Sequence, residues 1–200
     1  DIGTTGSNGI YLYSAVSYGF WYANIMGNTV SGGGSAGNTS LGIGLDGGTN
    51  TQNPGMTFTG NNLSYIQTGI DLGSHCDKCL ISANSIKGDT NTTAVGITAA
   101  GTSATILNNE IVDIRIGINH VNPISSAVYG AKIIGNAISN GAGGSPSTAW
   151  CDLNTASNIG ICVYGGPGTV VADNYIASIT NGIVAAEDAY NANYVTTVNR

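Results

Sequence analysis

Short apolar runs separated by Gly and Asn corners recur along the whole chain. Runs such as 104–109, 131–136 and 169–174 are rich in β-branched residues and close on Gly or Asn. No stretch keeps the 3.6-residue apolar period of an amphipathic helix. The pattern therefore predicts an all-β chain built from short strands and sharp turns, which is typical of a solenoid.

Two sequence signals mark successive coils of this solenoid. The first is an asparagine with an aliphatic residue about two positions later, at Asn28, Asn62, Asn84, Asn109, Asn136 and Asn174, with the Asn62 copy shifted by one position. The second is a Gly-Ile pair, at Gly9-Ile10, Gly42-Ile43, Gly69-Ile70, Gly96-Ile97, Gly117-Ile118, Gly160-Ile161 and Gly182-Ile183. Asn tolerates the left-handed backbone of a sharp corner, and stacked asparagines can hydrogen-bond to one another. We expect the isoleucines after each corner to stack inside a dry core.

On these repeats the chain resembles the right-handed parallel β-helix proteins of the pectate-lyase-like class. The resemblance covers essentially all of residues 1–200 and implies a single domain of about seven coils. Families with this fold include polysaccharide lyases, glycoside hydrolases and phage tailspike depolymerases, whose sites lie on an outer wall or groove. We expect no cofactor and no metal site in this chain.

The two ends of the sequence match the middle of a repeat. Asp1-Ile2 matches the residues after a ladder asparagine, and 194–199 match the strand that leads into the next one. The pattern predicts uncapped ends, which leave strand edges exposed. Our hypothesis is a segment of a longer solenoid or a unit that stacks end to end with copies of itself.

Composition narrows the possible partners. Only 8% of the residues are charged, the net charge is −6, and the five cations are scattered. Nucleic-acid binding needs a basic stripe and is excluded, and no apolar run reaches the length of about 18 residues that a membrane span requires. Outer faces covered by Ser, Thr, Asn and Gly suit lateral packing or contact with neutral hydroxylated ligands.

Three insertions rich in Gly, Ser, Thr and Asn interrupt the repeat, at Ser31 to Leu41, Lys87 to Val95 and Ser139 to Ile159. Because they occupy the same position in the repeat, we expect them to leave from one corner and to gather on one side. Insertions that gather on one side of a repeat protein often form a binding region. The alternative is that they have no function and are simply tolerated, as insertions in surface loops often are.

Four cysteines predict two disulfides in an extracellular or virion-surface protein. Cys151 lies in the longest insertion and Cys162 follows a Gly-Ile pair, so a bridge between them would fix the insertion to the wall. Cys76 and Cys79 form a lone Cys-x-x-Cys pair, which is weak evidence for zinc because zinc usually takes four ligands.

Catalytic candidates are few. The residues that follow the Gly-Ile pairs are Gly44, Asp71, Thr98, Asn119, Cys162 and Val184, a row with one acid instead of the carboxylate pair of a glycosidase. Glu110, Asp113 and Arg115 cluster after Asn109, and strand alternation would place Asp113 and Arg115 on one side, as in a lyase site or a surface salt bridge. His120 is expected at a corner, with a structural role.

Aromatic residues offer a binding alternative. Tyr18, Trp21 and Tyr22 lie in a dense aromatic stretch near the start, and Trp150 lies in the longest insertion. Exposed Tyr and Trp rings can stack on sugars, although the same residues can also fill the first coil.

Together these features favour a structural or adhesive element, such as a filament subunit, adhesin stalk or tailspike shaft, with loops that meet glycans. The alternative is a polysaccharide depolymerase that uses Asp71, Glu110, Asp113 and Arg115.

Overall fold

The computed structural model describes residues 8–14, 22–32, 41–47, 54–73, 76–89, 94–99, 103–121, 130–140, 158–164, 168–186 and 197–198. All of the regular structure in these ranges is β-strand, and every strand pair is parallel. Successive strands along the chain belong to the first, second and third sheet in turn, so each sheet contains every third strand. This is the predicted parallel β-helix. Its handedness and its number of coils stay predictions.

The first sheet carries the Gly-Ile pairs. Its strands, in both spatial and chain order, are β1 (Asn8–Ser14), β4 (Leu41–Gly47), β7 (Thr68–Asp71), β10 (Val95–Thr98), β13 (Ile116–Val121), β16 (Ile159–Tyr164) and β19 (Asn181–Ala186).

The second and third sheets form the other two walls. The second contains β2 (Asn24–Met26), β5 (Thr57–Thr59), β8 (Leu80–Ser82), β11 (Thr105–Leu107), β14 (Lys132–Ile134), β17 (Val170–Ala172) and β20 (Thr197–Val198). The third contains β3 (Thr29–Ser31), β6 (Asn62–Ile66), β9 (Ser85–Gly88), β12 (Glu110–Val112), β15 (Ala137–Ser139) and β18 (Tyr175–Ala177).

Equivalent residues stack in register from coil to coil. In the first sheet Ile43 pairs with Ile70, which pairs with Ile97, and the column continues through Ile118, Ile161 and Ile183. Columns from the other two sheets, such as Ile81 with Ile106 and Ile86 with Ile111, complete one continuous apolar interior. The predicted stack of inward isoleucines is confirmed.

The corner between the second and third sheets is a hydrogen-bonded asparagine ladder. Its members are Asn28, Asn61, Asn84, Asn109, Asn136 and Asn174. Each of the first five donates from its main-chain N–H and from Nδ2 to the Oδ1 of the next. From Asn61 onward, Nδ2 also donates to a main-chain carbonyl oxygen of the second sheet in the preceding coil, so the buried amides are satisfied.

Two details of the predicted ladder are corrected. Its second member is Asn61, and the neighbouring Asn62 begins β6 instead. The left-handed residue of the corner is also not the ladder asparagine but the residue before it. At this position Gly60, Ala83 and Asn108 have φ of 65°, 53° and 51°. The turn is made one residue early, which leaves the asparagine side chain free to point inward.

The strands that flank the three predicted insertions all run from the third sheet to the first. β3 ends at Ser31 and β4 begins at Leu41, while β15 ends at Ser139 and β16 begins at Ile159. The central insertion follows β9, which extends to Gly88. The three insertions therefore begin at one corner, as predicted, beside the first sheet. Most of their residues lie outside the described ranges.

Candidate ligand-binding face

One row of side chains on the outer face of the first sheet varies from coil to coil. It consists of Tyr11, Gly44, Asp71, Thr98, Asn119, Cys162 and Val184, which pair in register along the sheet. We call it the outer row. Each member follows an inward isoleucine, so strand alternation turns it away from the core. At about 4.8 Å per coil, the part from Tyr11 to Asn119 is about 19 Å long.

Tyr11 forms an aromatic platform at the start of the outer row. Its ring lies against Gly44, since a Cβ on that glycine would come within 2.9 Å of Tyr11 Cδ2. The Tyr11 hydroxyl donates a hydrogen bond of 2.8 Å to Asp46 Oδ2, and 45% of the residue surface is exposed. With one edge of the ring fixed and its body held against the wall, an apolar face remains open to solvent.

Two carboxylates and a second tyrosine surround this platform. Asp46 pairs with the exposed Tyr13, and Asp71 pairs with Gly44. The pKa of the Tyr11 phenol is raised above 10.0, first by its hydrogen bond to Asp46, then by partial desolvation and by the negative charges of Asp46 and Asp71. The phenol is thus a neutral donor at ordinary pH, and both carboxylates lie within electrostatic reach of it.

The outer face becomes buried and apolar toward the last strands of the first sheet. Val95, Ile116, Ile159 and Cys162 form a buried cluster, separate from the interior core, against which Val184 packs. Asn119 lies beside this cluster and is only 4% exposed, and its Oδ1 accepts no hydrogen bond from the described residues. The open, polar part of the outer row therefore ends at a buried acceptor that has no donor.

Tyr22 is the one predicted aromatic binding residue that the structure describes. It is 69% exposed, has φ of 56°, and its ring lies over Gly55 in the same way that Tyr11 lies over Gly44. Gly55 and Lys78, at the same corner of the next two coils, have φ of 69° and 55°, so this conformation belongs to the corner. Tyr18, Trp21 and Trp150 lie outside the described residues.

Among the predicted catalytic residues, Asp71 lies on a different sheet from Glu110. Asp71 ends β7 on the first sheet, whereas Glu110 begins β12 on the third sheet and is exposed. Because β12 ends at Val112 and Asp113 takes φ of 58°, Asp113 and Arg115 do not share a strand, and the expected alternation is wrong. Asp113 Oδ2 lies 3.8 Å from Lys87 Nζ, while Arg115 is buried at the corner before β13.

The histidine that was expected at a corner lies within a strand. His120 belongs to β13, pairs with Val163 and is fully buried, with Nδ1 2.7 Å from the carbonyl oxygen of Ala99. Burial lowers the pKa of His120, because the cation would lose its hydration. A neutral, buried imidazole in the core column is structural. The described residues hold no cluster of metal-ligating side chains.

The cysteines follow the disulfide prediction as far as they are described. Cys76 and Cys79 are joined across the corner before β8, with their Cα atoms 5.7 Å apart, and both are buried. Cys162 is also disulfide-bonded. Its predicted partner, Cys151, lies outside the described residues.

Sequence reasoning identified the outer row and Asp71 but missed Tyr11, Tyr13 and Asp46 as one group. The signal was present: alternation after Gly9-Ile10 and Gly42-Ile43 places all three side chains on the outer face. Their contact depends on pairing across the first insertion, which the sequence does not display.

Comparisons with protein-family models, with curated proteins and with solved structures find no match for this chain. Within the described ranges, no helix has the length and apolar character needed to cross a membrane. The resemblance to the pectate-lyase-like class thus rests on the parallel β-helix architecture alone.

Proposed function

We propose that this chain is an extracellular structural or adhesive β-helix element that binds glycans on the outer face of its first sheet. The observation that carries the proposal is the Tyr11 platform, a ring held against Gly44 and Asp46 with its other face exposed. Flat apolar faces with polar edges suit pyranose rings, which present C–H groups on one face and hydroxyls at the rim.

The shape of the row supports an extended ligand. Asp71, Thr98 and Asn119 continue from Tyr11 at one residue per coil, so polar groups recur at a spacing close to the length of a sugar unit. The three insertions begin beside this sheet, where loops of repeat proteins often contribute to binding. The pectate-lyase-like resemblance is compatible with a glycan ligand on an outer wall.

An oxidising location fits the cysteines. Disulfides such as Cys76–Cys79 and the one at Cys162 are rare in reducing compartments. The cell exterior or a virion surface is therefore the proposed location.

The test is binding of the intact chain to an immobilised panel of neutral gluco-, galacto- and manno-oligosaccharides. Tyr11→Ala removes the stacking ring and is expected to weaken binding about tenfold. The matched control is Tyr175→Ala, which removes an even more exposed tyrosine from β18 on the third sheet. Equal losses in both variants, or no binding by the intact chain, would refute the proposal.

A second candidate is a polysaccharide hydrolase, and one geometric feature favours it. Asp46 and Asp71 are diagonal neighbours on adjacent strands, because Asp71 pairs with Gly44, two residues before Asp46. This places their Cα atoms about 8 Å apart on one face of the sheet. From there the carboxyl groups could reach the separation of about 6.5–9.5 Å that inverting glycosidases use. Release of reducing ends that is abolished by Asp46→Asn and by Asp71→Asn would support it. Loss in Asp113→Ala or Arg115→Ala instead would point to the residues predicted from the sequence.

Association with other copies is a further part of the structural proposal. The ladder is directional, because Asn28 donates to Asn61 and the same sense continues to Asn174. A second copy stacked head to tail would present donors where the first presents acceptors, so the array could continue between copies. Concentration-dependent growth of rods under the electron microscope would support this role, and a monomer at all concentrations would refute it.

A further inference from the structure

We propose that the outer row prefers an amino-sugar polymer, whose protonated amines meet its acceptors, over a neutral or uronate-containing glycan. The inference rests on the proposed function and names its ligand class. It is carried by the chemistry of the outer row from Tyr11 to Asn119, in which acceptor groups and aromatic faces predominate.

The charges of this face have one sign. The first-sheet strands contain Asp46 and Asp71 but no Lys or Arg. The described cations lie elsewhere: Lys78 at the corner before β8, Lys87 on the third sheet, Lys132 on the second sheet, and Arg115 buried before β13. A uronate polymer would therefore meet repulsion, and the face departs from what a pectate-type ligand requires.

The carboxylates can serve a cationic ligand while they keep their present contacts. Asp46 Oδ2 accepts the Tyr11 hydroxyl, and Asp71 Oδ1 accepts the main-chain N–H of Gly73 at 3.0 Å. Both residues make further contacts as well. Since a carboxylate offers about four lone-pair positions, it can accept from several donors at once. A protonated amine makes shorter and stronger hydrogen bonds to such oxygens than a hydroxyl does, and the rings of Tyr11 and Tyr13 attract cations.

Asn119 gives an independent indication of a donor-bearing ligand. Its side chain is 96% buried, in the same row two coils beyond Asp71, and its Oδ1 has no donor among the described residues. Buried acceptors in proteins almost always have a partner, so one that lacks it requires an explanation, and a ligand donor would supply it. Together with Asp71 in the row and Asp46 beside it, Asn119 places acceptors on three strands of the first sheet.

The experiment compares a glucosamine hexamer with an N-acetylglucosamine hexamer, using the intact chain in a mildly acidic buffer of low ionic strength. The two probes share ring and linkage but only the first carries amines. We expect the glucosamine hexamer to bind at least tenfold more tightly, with an advantage that falls as salt is added. The double variant Asp46→Asn, Asp71→Asn should remove this advantage, so that the two hexamers bind with similar affinity.

The variants are isosteric, so the amide oxygens still accept the Tyr11 hydroxyl and the Gly73 N–H. Glu110→Gln on the third sheet is the control for loss of negative charge alone. Equal affinity for the two hexamers, tighter binding of a galacturonate hexamer, or an equal effect of Glu110→Gln would overturn the inference and leave glycan binding standing. If the chain binds neither these probes nor the neutral panel, both proposals fail.

Discussion

The ladder corner and the outer row are two columns of the same solenoid that differ in how much the residue changes from coil to coil. At the ladder the same residue, asparagine, recurs in each described coil, and its side chain closes hydrogen bonds with the coils on both sides. In the outer row the residue changes at every level, from Tyr11 and Gly44 through Asp71 to Val184. The comparison teaches that repetition here reports what the fold requires, whereas variation reports positions that the fold leaves open to function.

The largest effect is expected when the ladder is broken at its centre. Asn109 accepts from both N–H and Nδ2 of Asn84 and donates from Nδ2 to Asn136 Oδ1 and to the Ile81 carbonyl oxygen. Asn109→Ala removes these bonds and leaves buried donors unpaired, so we expect a loss of about 3–5 kcal/mol in the free energy of unfolding. Urea unfolding followed by far-UV circular dichroism measures it.

The matched control is the preceding residue. Asn108 is exposed and has φ of 51°, a conformation that glycine adopts without strain. Asn108→Gly should therefore change stability by less than about 0.5 kcal/mol. A loss as large as that of Asn109→Ala would show that the corner as a whole, and not the ladder side chain, carries the stability.

The second-largest loss of stability is expected at the glycine of the Gly-Ile pair. This glycine recurs because neighbouring coils approach each other closely at its position. A Cβ on Gly42 would lie 2.6 Å from the carbonyl oxygen of Gly69 and 3.1 Å from Leu63 Cδ1, whereas one on Gly182 meets nothing within 4 Å. We expect Gly42→Ala to destabilise by about 1–3 kcal/mol through overpacking against backbone. Gly182→Ala, at the equivalent position, should be nearly neutral in the same urea titration. Equal effects would exclude crowding as the cause.

These two columns also show what the sequence could predict. The Asn and Gly-Ile signals recur because each coil repeats the same physical demand, so the architecture and the inward isoleucines could be inferred. The choice between Asn61 and Asn62 could not, because it depends on Gly60 making the left-handed turn before Asn61. Likewise the contact of Tyr11 with Asp46 joins two coils across an insertion, and the corner at Asp113 separates it from Arg115. Local alternation rules do not extend through such turns.

A smaller effect tests a departure from repetition inside the core. His120 occupies an inward position beside Val163, and its pKa is lowered by burial. The unfolded chain therefore binds a proton more readily, so stability falls as the pH drops below about 6.5 toward the lowered folded pKa. In His120→Leu this component should vanish. The slope of the unfolding free energy against pH, measured below about pH 6.5, should then be smaller by up to about 1.4 kcal/mol per pH unit. An unchanged slope would mean that other groups cause the acid sensitivity.

The smallest effect is expected at a polar contact outside both columns. Lys87 Nζ lies 3.8 Å from Asp113 Oδ2 and 5.5 Å from the ring centroid of Tyr65, and the lysine side chain is 49% exposed. Exposed ion pairs contribute about 0.2–1 kcal/mol, so Lys87→Met, which keeps most of the side-chain packing, should cost less than about 1 kcal/mol. High salt should abolish most of the difference between variant and parent in thermal unfolding, because the pair is screened. A loss of stability as large as that of Gly42→Ala would mean that the contact between Lys87 and Asp113 supports the fold as the ladder does. The distinction between repeated structural columns and varied outer positions would then fail at Asp113.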